Sequence, residues 1–473
     1  MGFRGFAIIT GAALLFCTPE AMRAQKNSVD LWLSTADRSA LLAKQPDGLR
    51  LTKGSAETPT ITLDDTVPMQ RMEGFGFALT GGSAELLMRM TPAARTKLLH
   101  ELFSPNAPGS IGVSYLRVSI GSSDMNERVF TYDDLPAGQT DPQLAQFDLG
   151  PDKADVVPVL KEILAINPQI TILGSPWSPP SWMKTNGAPK AGSLRPENYG
   201  VYAQYLVRYI QAMAAEGIHI DALTVQNEPL NQNNTPSLYM PAAEEGTFIK
   251  GSLGPALQAA NLRTRIILYD HNCDRPDYPL EILADPEANK YVAGSGFHLY
   301  GGDVSAMTQV HNAYPQKGLY FTEQMVIEKP GEVPFKIVDP VSRVVIGATR
   351  NWAQNVLLWN LAADPHNGPH TANGGCPICQ GAITLDGDTV TRNLAFYAIA
   401  HVAKFVPPGS MRIASNGPAE DQLAEVAFER PDHGKVLLVA NRTAAPYTFT
   451  VGSHGMVFRS TLAAGAVGTY VWR

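Results

Sequence analysis

Cysteine is scarce here, with four residues in a chain of 473. A disulfide framework needs a short, cysteine-dense sequence, so a large packed core must hold this protein together instead. Charge is thin too, at 17% of residues, and 37 Lys and Arg against 44 Asp and Glu leave a formal net charge of −7. Nucleic-acid binding needs a basic surface, so this balance argues against such a partner and equally against anionic lipid. Neither a G-x-S-x-G nucleophile turn nor a P-loop occurs, and there is no internal repeat or low-complexity tract. Past the N-terminus, no run approaches the roughly 20 apolar residues that span a bilayer, so stable membrane insertion is not expected. The remaining composition, 44% hydrophobic, is that of a globular protein. The length suits a large domain with a smaller one attached.

The N-terminus has its own logic. Met1 to Arg4 give a short positive start, the apolar run GFAIITGAALLFC follows, and Thr18 and Pro19 break it. That order matches a secretory signal with cleavage after Ala24, and implies export to the periplasm or beyond. A buried or anchoring N-terminal helix is the competing reading. Lipidation at Cys17 fits poorly, because Phe16 stands where a small residue is expected. Cleavage would leave Cys273, Cys376 and Cys379.

Segments 28–65 and 405–473 are β-rich, with alternating runs such as KVLLVANRT and GAVGTYVWR. Between them strand-like and helix-like segments alternate, as βα units around a parallel sheet do. Strand candidates cover 71–79, 112–120, 169–174, 220–226, 265–270, 295–300, 318–323 and 354–359. Segments 156–166 and 201–217 carry apolar residues at helical spacing. Eight such strands predict a closed (β/α)₈ barrel, whose chemistry sits at the C-terminal strand ends. Arg117, Trp177, Asn227, Glu228, Tyr300, Glu323 and Trp359 all fall at or just past such an end.

Two carboxylates stand out. Glu228, in Gln226-Asn227-Glu228-Pro229, follows the apolar strand DALTV. Partial desolvation there would raise its pKa and suit it to donate a proton. Asn227 offers a donor and an acceptor for a sugar hydroxyl. Glu323 ends the strand GLYFT, where strand seven can face strand four across the mouth. Glycoside hydrolysis needs two carboxylates flanking the scissile bond. A solvated loop Glu228 and a strand-end salt bridge at Glu323 are the plainer alternatives. The segment SPWSPPSWMKTNG (175–187) adds a proline-stiffened loop in which Trp177 and Trp182 offer flat apolar faces, unless both belong to the core.

Together these motifs resemble glycoside hydrolase family 30, the family of lysosomal glucosylceramidase and its bacterial and fungal relatives. The resemblance runs from about Leu51 to Arg473. It rests on GFGFALT (74–80), LRVSIGSSDMNERVFTYDD (116–134), SPWSPPSWMKTNG, VQNEP (225–229), FHLY (297–300), FTE (321–323), LLWNLA (357–362), HVAKFVPPGSMR (401–412) and TYVWR (469–473). It implies a (β/α)₈ TIM barrel with an accessory β-sandwich formed from both chain ends; after the leader read above at 1–24, sandwich strands are expected at 25–65, the barrel at 66–402 and the remaining sandwich at 403–473. It also implies Glu228 as acid/base, Glu323 as nucleophile and Asn227 as partner of the 2-hydroxyl. Arg117 and Tyr300 match residues that orient the nucleophile, and Trp177 and Trp359 match residues lining the glucosyl subsite. Asp124 matches a shared position without an assigned contact.

The sequence also departs from the glucosylceramidases. Gly81 and Gly82 stand where an Asp is expected, Leu299 replaces an aromatic, and residues 366–381 (HNGPHTANGGCPICQG) differ. These departures favour another β-glucoside, with β-1,6-glucan the natural candidate and Gly81 and Leu299 as openings of an endo-acting groove. An exo-enzyme on glucosylceramide or small β-glucosides is the alternative, and a carbohydrate-binding protein on an inactive barrel is the non-enzyme one. His366, His370, Cys376 and Cys379 have spacings compatible with Zn²⁺, while the two cysteines could instead pair or stay free. The family chemistry needs no metal or cofactor, so none is expected. His271 and His298 are expected as hydrogen-bonded residues of the mouth. The oligomeric state stays open.

Overall fold

A computed structural model describes residues 1, 2 and 28–473, apart from 106 and 330. The leader expected over 1–24 therefore lies, past its first two residues, outside the described residues. Among the described residues no helix is long and apolar enough to cross a membrane.

Eight parallel strands close a barrel in sequence order. They are β1 (Gly74–Leu79), β2 (Tyr115–Ile120), β3 (Thr171–Pro176), β4 (Ala222–Thr224), β5 (Arg265–Cys273), β6 (Val292–Gly302), β7 (Gly318–Glu323) and β8 (Ala353–Leu358). β8 pairs back onto β1, Val356 opposite Phe75. Every residue of β1 is buried, as expected of a strand covered on both faces. Tyr115, Leu173, Ala222, Ile267, Tyr320 and Leu357 pack together inside the barrel, so its interior is a core and not a channel.

The expected helix over 156–166 is present as α1 (Val156–Ile166). Asp155 caps its first turn by accepting from Val156 N, and it ends at Asn167, just before Pro168. The next predicted helix is α2 (Tyr199–Ala215), which buries Tyr202, Tyr205, Tyr209, Leu206, Ile210 and Met213 on one face. Of these, Leu206, Ile210 and Met213 each contribute about 1.5–3 kcal/mol through burial.

The second domain is an eleven-stranded antiparallel-rich sheet assembled from both ends of the chain. Strand Ser28–Ser34 pairs with Val467–Trp472, setting Leu31 opposite Tyr470. Strand Thr60–Arg71 pairs with Met411–Asn416. Their shared core includes Ile61, Leu63, Leu437, Val439, Phe449, Phe458 and Tyr470. Helix α3 (Leu394–Ala403) connects the domains. On it, His401 faces Thr469 Oγ1 through Nδ1 and Ser34 Oγ through Nε2, each at 2.8 Å.

Candidate active site

β4 is short, but the chain beyond it keeps pairing with its neighbours. Asn227 N donates to Pro176 O at 2.8 Å and Glu228 N to Asp270 O at 3.0 Å. Glu228 and Asp270 both sit in the left-handed region, at φ +44° and +53°. For side chains of this kind that costs about 1–3 kcal/mol each, strain typical of functional sites. β5 breaks register between Tyr269 and His271, a bulge that re-aims Asp270 into the mouth.

Arg117 organises the site from within β2. It is 1% exposed and donates to Glu323 Oε2 at 2.6 Å, Asn227 Oδ1 at 2.6 Å and Asp270 Oδ2 at 2.8 Å. Tyr300 donates to the other Glu323 oxygen at 3.0 Å and accepts from Met325 N. Glu228 receives Asn231 Nδ2 at 2.7 Å and Asn234 Nδ2 at 3.2 Å on Oε2, with His298 Nδ1 at 3.2 Å on Oε1. His298 Nε2 lies 3.0 Å from Asp270 Oδ1. His271 Nδ1 is 3.8 Å from Glu228 Oε1, too long for a hydrogen bond. Trp177 and Trp359 face each other at 5.4 Å, with the Arg117 guanidinium 5.7 Å from the Trp359 ring.

Arg117, Trp177, Asn227, Glu228, Tyr300, Glu323 and Trp359, the seven strand-end residues, thus converge on one mouth. Trp182 stands apart, with Nε1 donating to Asp133. Its loop is held by the buried Lys184 ammonium, which donates to Ser178 Oγ, Pro189 O and Ser237 O. Asp124 is buried near the pair, and its Oδ1 has no hydrogen-bond partner. Arg117 Nε, Trp177 Nε1, Gln226 Oε1 and His271 Nδ1 are likewise buried without partners. Clustered polar atoms of this kind suit a hydroxyl-rich ligand.

Burial alone would raise Glu228, as the sequence suggests, yet its carboxyl is held below the ordinary range by the His298 imidazole bonded to it and by the neighbouring, unbonded His271 ring. Those arrive from β5 and β6, so nothing near Glu228 in the sequence announces them. Burial works against a charged His298, but the charge of Glu323 and the bonds to Asp270 and Glu228 push it up to about 9. Burial, with the charges of Glu323 and Glu228, lifts Asp124 well above the usual carboxylate range.

The departures resolve differently from expectation. A Cβ at Gly81 would lie 1.9 Å from Asn126 Nδ2, so the chain itself fills that space. Leu299 is 2% exposed and packs into the core. Neither residue opens a groove. Residues 366–381 instead fold over the mouth: Thr371 N donates to Asp124 O, Thr235 N to Gly374 O, and Pro369 packs at Gly82. Cys376 and Cys379 form a disulfide, so the thiolates that a zinc site would need are consumed. Cys379 packs with Trp177, Trp359 and Met125. Among the described residues, Glu228, His298 and Glu323 present ligand atoms within 4.8 Å of one another. A dication there would meet the Arg117 guanidinium on the same Glu323 carboxylate, which disfavours a metal.

Residues 72–406 match the model of the glycosyl hydrolase family 30 TIM-barrel domain, and residues 409–470 that family's β-sandwich domain. The chain belongs to glycosyl hydrolase family 30. This family 30 enzyme is a β-glycoside hydrolase acting on carbohydrate, as its motifs imply. It is 35% identical to the endo-1,6-β-D-glucanase of Neurospora crassa over 435 residues, 87% of this chain and 88% of that protein. The lysosomal acid glucosylceramidase of Mus musculus is 29% identical over 439 residues, 87% and 83% of the two chains. A solved endo-β1,6-glucanase superposes with a TM-score of 0.85 at 35% identity, covering 94% of this chain and 99% of that one. SrfJ of Salmonella typhimurium gives 0.88 at 27% identity, with the same coverage.

Asp270, Ser175, Thr322, Asn231 and Asn234 went unnoticed in the sequence. Asp270 had one usable signal, a carboxylate ending an apolar strand. The two asparagines lay in NQNN, which reads as an ordinary loop.

Proposed function

We propose that this enzyme is an endo-β-1,6-glucanase that works by double displacement with retention. The observation carrying the mechanism is the closeness of two buried carboxylates from facing strands, with oxygens of Glu228 and Glu323 within 4.8 Å. That spacing suits a covalent intermediate and leaves no room for the interposed water of an inverting enzyme. Although the imidazoles hold Glu228 low, the reactive form of the pair is the one in which Glu228 carries the proton: Glu323 attacks the anomeric carbon while Glu228 passes that proton to the departing oxygen. Glu228 then takes a proton from water, whose oxygen attacks the anomeric carbon and frees Glu323.

In this reading Arg117 and Tyr300 orient Glu323, one donor on each oxygen. Asn227, fixed through Oδ1 by Arg117, offers its amide to the 2-hydroxyl. Trp177 and Trp359 line the glucosyl subsite, and a protonated Asp124 can donate to a sugar hydroxyl. The β-1,6 linkage is inferred from the glucanases at 35% identity over nearly the whole chain. Export follows from the leader-like N-terminus, and intact mass of the secreted protein tests cleavage after Ala24.

Product analysis on pustulan, laminarin, an aryl β-glucoside and glucosylceramide tests the substrate. Mixed oligosaccharides from pustulan are expected. Glucose alone, from the lipid or the aryl glucoside, overturns endo action and favours a glucosylceramidase-like exo-enzyme.

A further inference from the structure

His298 takes no part in the bond changes just described, yet it is fully buried and reaches three carboxylates. Its Nδ1 lies 3.2 Å from Glu228 Oε1 and 3.9 Å from Glu323 Oε1, and its Nε2 3.0 Å from Asp270 Oδ1. A neutral imidazole donates at one nitrogen and accepts at the other. Here each nitrogen faces a carboxylate oxygen. Asp270 is fixed as an anion by donors from Arg117, Ser175 and Thr322, so Nε2 must donate. An ionised Glu228 makes the same demand of Nδ1, and only the imidazolium meets both.

The charges around the ring come from every strand that packs against it. β2 brings Arg117, and the loop after it brings Asp124. Glu228 follows β4, Asp270 and His271 lie near the end of β5, Tyr300 near the end of β6, and Glu323 ends β7. Burial, with the charges of Glu323 and Glu228, lifts Asp124 well above the usual carboxylate range and so favours its neutral form. Within the directly bonded set, Arg117 and a cationic His298 oppose Asp270, which leaves room for one more negative charge. Two glutamates sharing a single proton supply it. Once Glu323 is esterified by the sugar, an ionised Glu228 supplies it again. A neutral His298 would leave an uncompensated buried anion at both stages, which is strongly disfavoured.

We propose that His298 is a positioning residue that stays cationic through the whole cycle and fixes the two-glutamate site at one proton, an inference resting on the roles given above to Glu228 and Glu323. Removing that cation raises the proton affinity of both glutamates together. The pair titrates as a unit, with an acid limb where the nucleophile must ionise and a basic limb where the acid must keep its proton.

The test compares kcat/KM against pH for wild type and His298→Gln on an aryl β-glucoside. Both limbs are expected to move to higher pH by about one pH unit or more. A fall in height with both limbs unmoved overturns the proposal and leaves His298 a merely structural residue. Should the variant fail to fold, imidazole ¹⁵N shifts of the wild-type protein between pH 5 and 8 decide the matter. An imidazolium signal for His298 throughout is expected, and a neutral ring overturns the inference. Labelling with a 2-deoxy-2-fluoro-β-glucoside keeps the two readings apart. Label on Glu323 upholds the glutamate roles, whereas label elsewhere overturns those roles whatever the pH profiles show.

Discussion

Arg117 donates to Glu323 through Nη1 at 2.6 Å, with both side chains buried to within 5%. The same guanidinium ties down Asn227 and Asp270, so one cation sets the nucleophile, its flanking amide and the anion behind them. Removing one partner from such a buried set costs about 3–5 kcal/mol. Arg117→Ala should therefore lower unfolding stability by that amount, read from urea denaturation. A loss under about 1 kcal/mol would mean that water replaces the guanidinium freely.

Glu323→Ala should reduce turnover to background and recover activity with azide, because a small anion can occupy the space of the missing carboxylate and attack the anomeric carbon. The product would be a glycosyl azide of inverted configuration, identifiable by NMR. Absence of rescue in a folded variant counts against Glu323 as the nucleophile.

Glu228→Gln removes the proton donor while keeping the shape. General acid catalysis is worth about 10²–10⁴-fold, so kcat/KM on a natural glucan should drop by that factor. An aryl glycoside with a good leaving group needs little protonation, and its kcat/KM should change far less. Equal losses on the two substrates would contradict the acid role.

His401, on the face of α3 buried against the sandwich, is pushed down to about 3 by burial. The unfolded chain takes up its proton near pH 6.5 and the folded chain only near pH 3. Below about pH 6.5 the unfolded state thus binds more protons, and stability falls as pH falls, by roughly 1.4 kcal/mol per pH unit from this residue. His401→Gln should flatten that part of the Tm-against-pH curve. An unchanged slope would assign the acid sensitivity to other groups.

The disulfide loop lies over the tryptophan pair, with Cys379 against Met325 and Trp359. Replacing both Cys376 and Cys379 by Ala should raise KM several-fold while Tm shifts by only a few degrees, since the cross-link closes a very short loop. A large Tm shift at constant KM would make the bond a stabilising element with no part in shaping the site.

The eight strands, α1 and the β-rich character of both chain ends were legible because each is written locally, whereas the pairing of the two ends came only with the family resemblance. Apolar periodicity and turn residues repeat within ten or fifteen residues, and parallel strands joined by helices have few ways to close. The two glutamates were legible for the same reason, each ending an apolar strand. Gly81 shows the limit of that method: its missing side chain suggested open space, while Asn126, 45 residues away, occupies it.

The sequence by itself determined the barrel, the β-rich chain ends and the carboxylates at two facing strand ends, because hydrophobic patterning acts along the chain. Only the tertiary structure decided what surrounds those carboxylates. Arg117, Asp270, His298 and the 366–381 loop come from separate strand ends, and their charges act through a few ångströms of low-dielectric space. Proton affinity at Glu228 is set there, by His271 and by His298, the latter 70 positions distant in the chain, which no local pattern can encode.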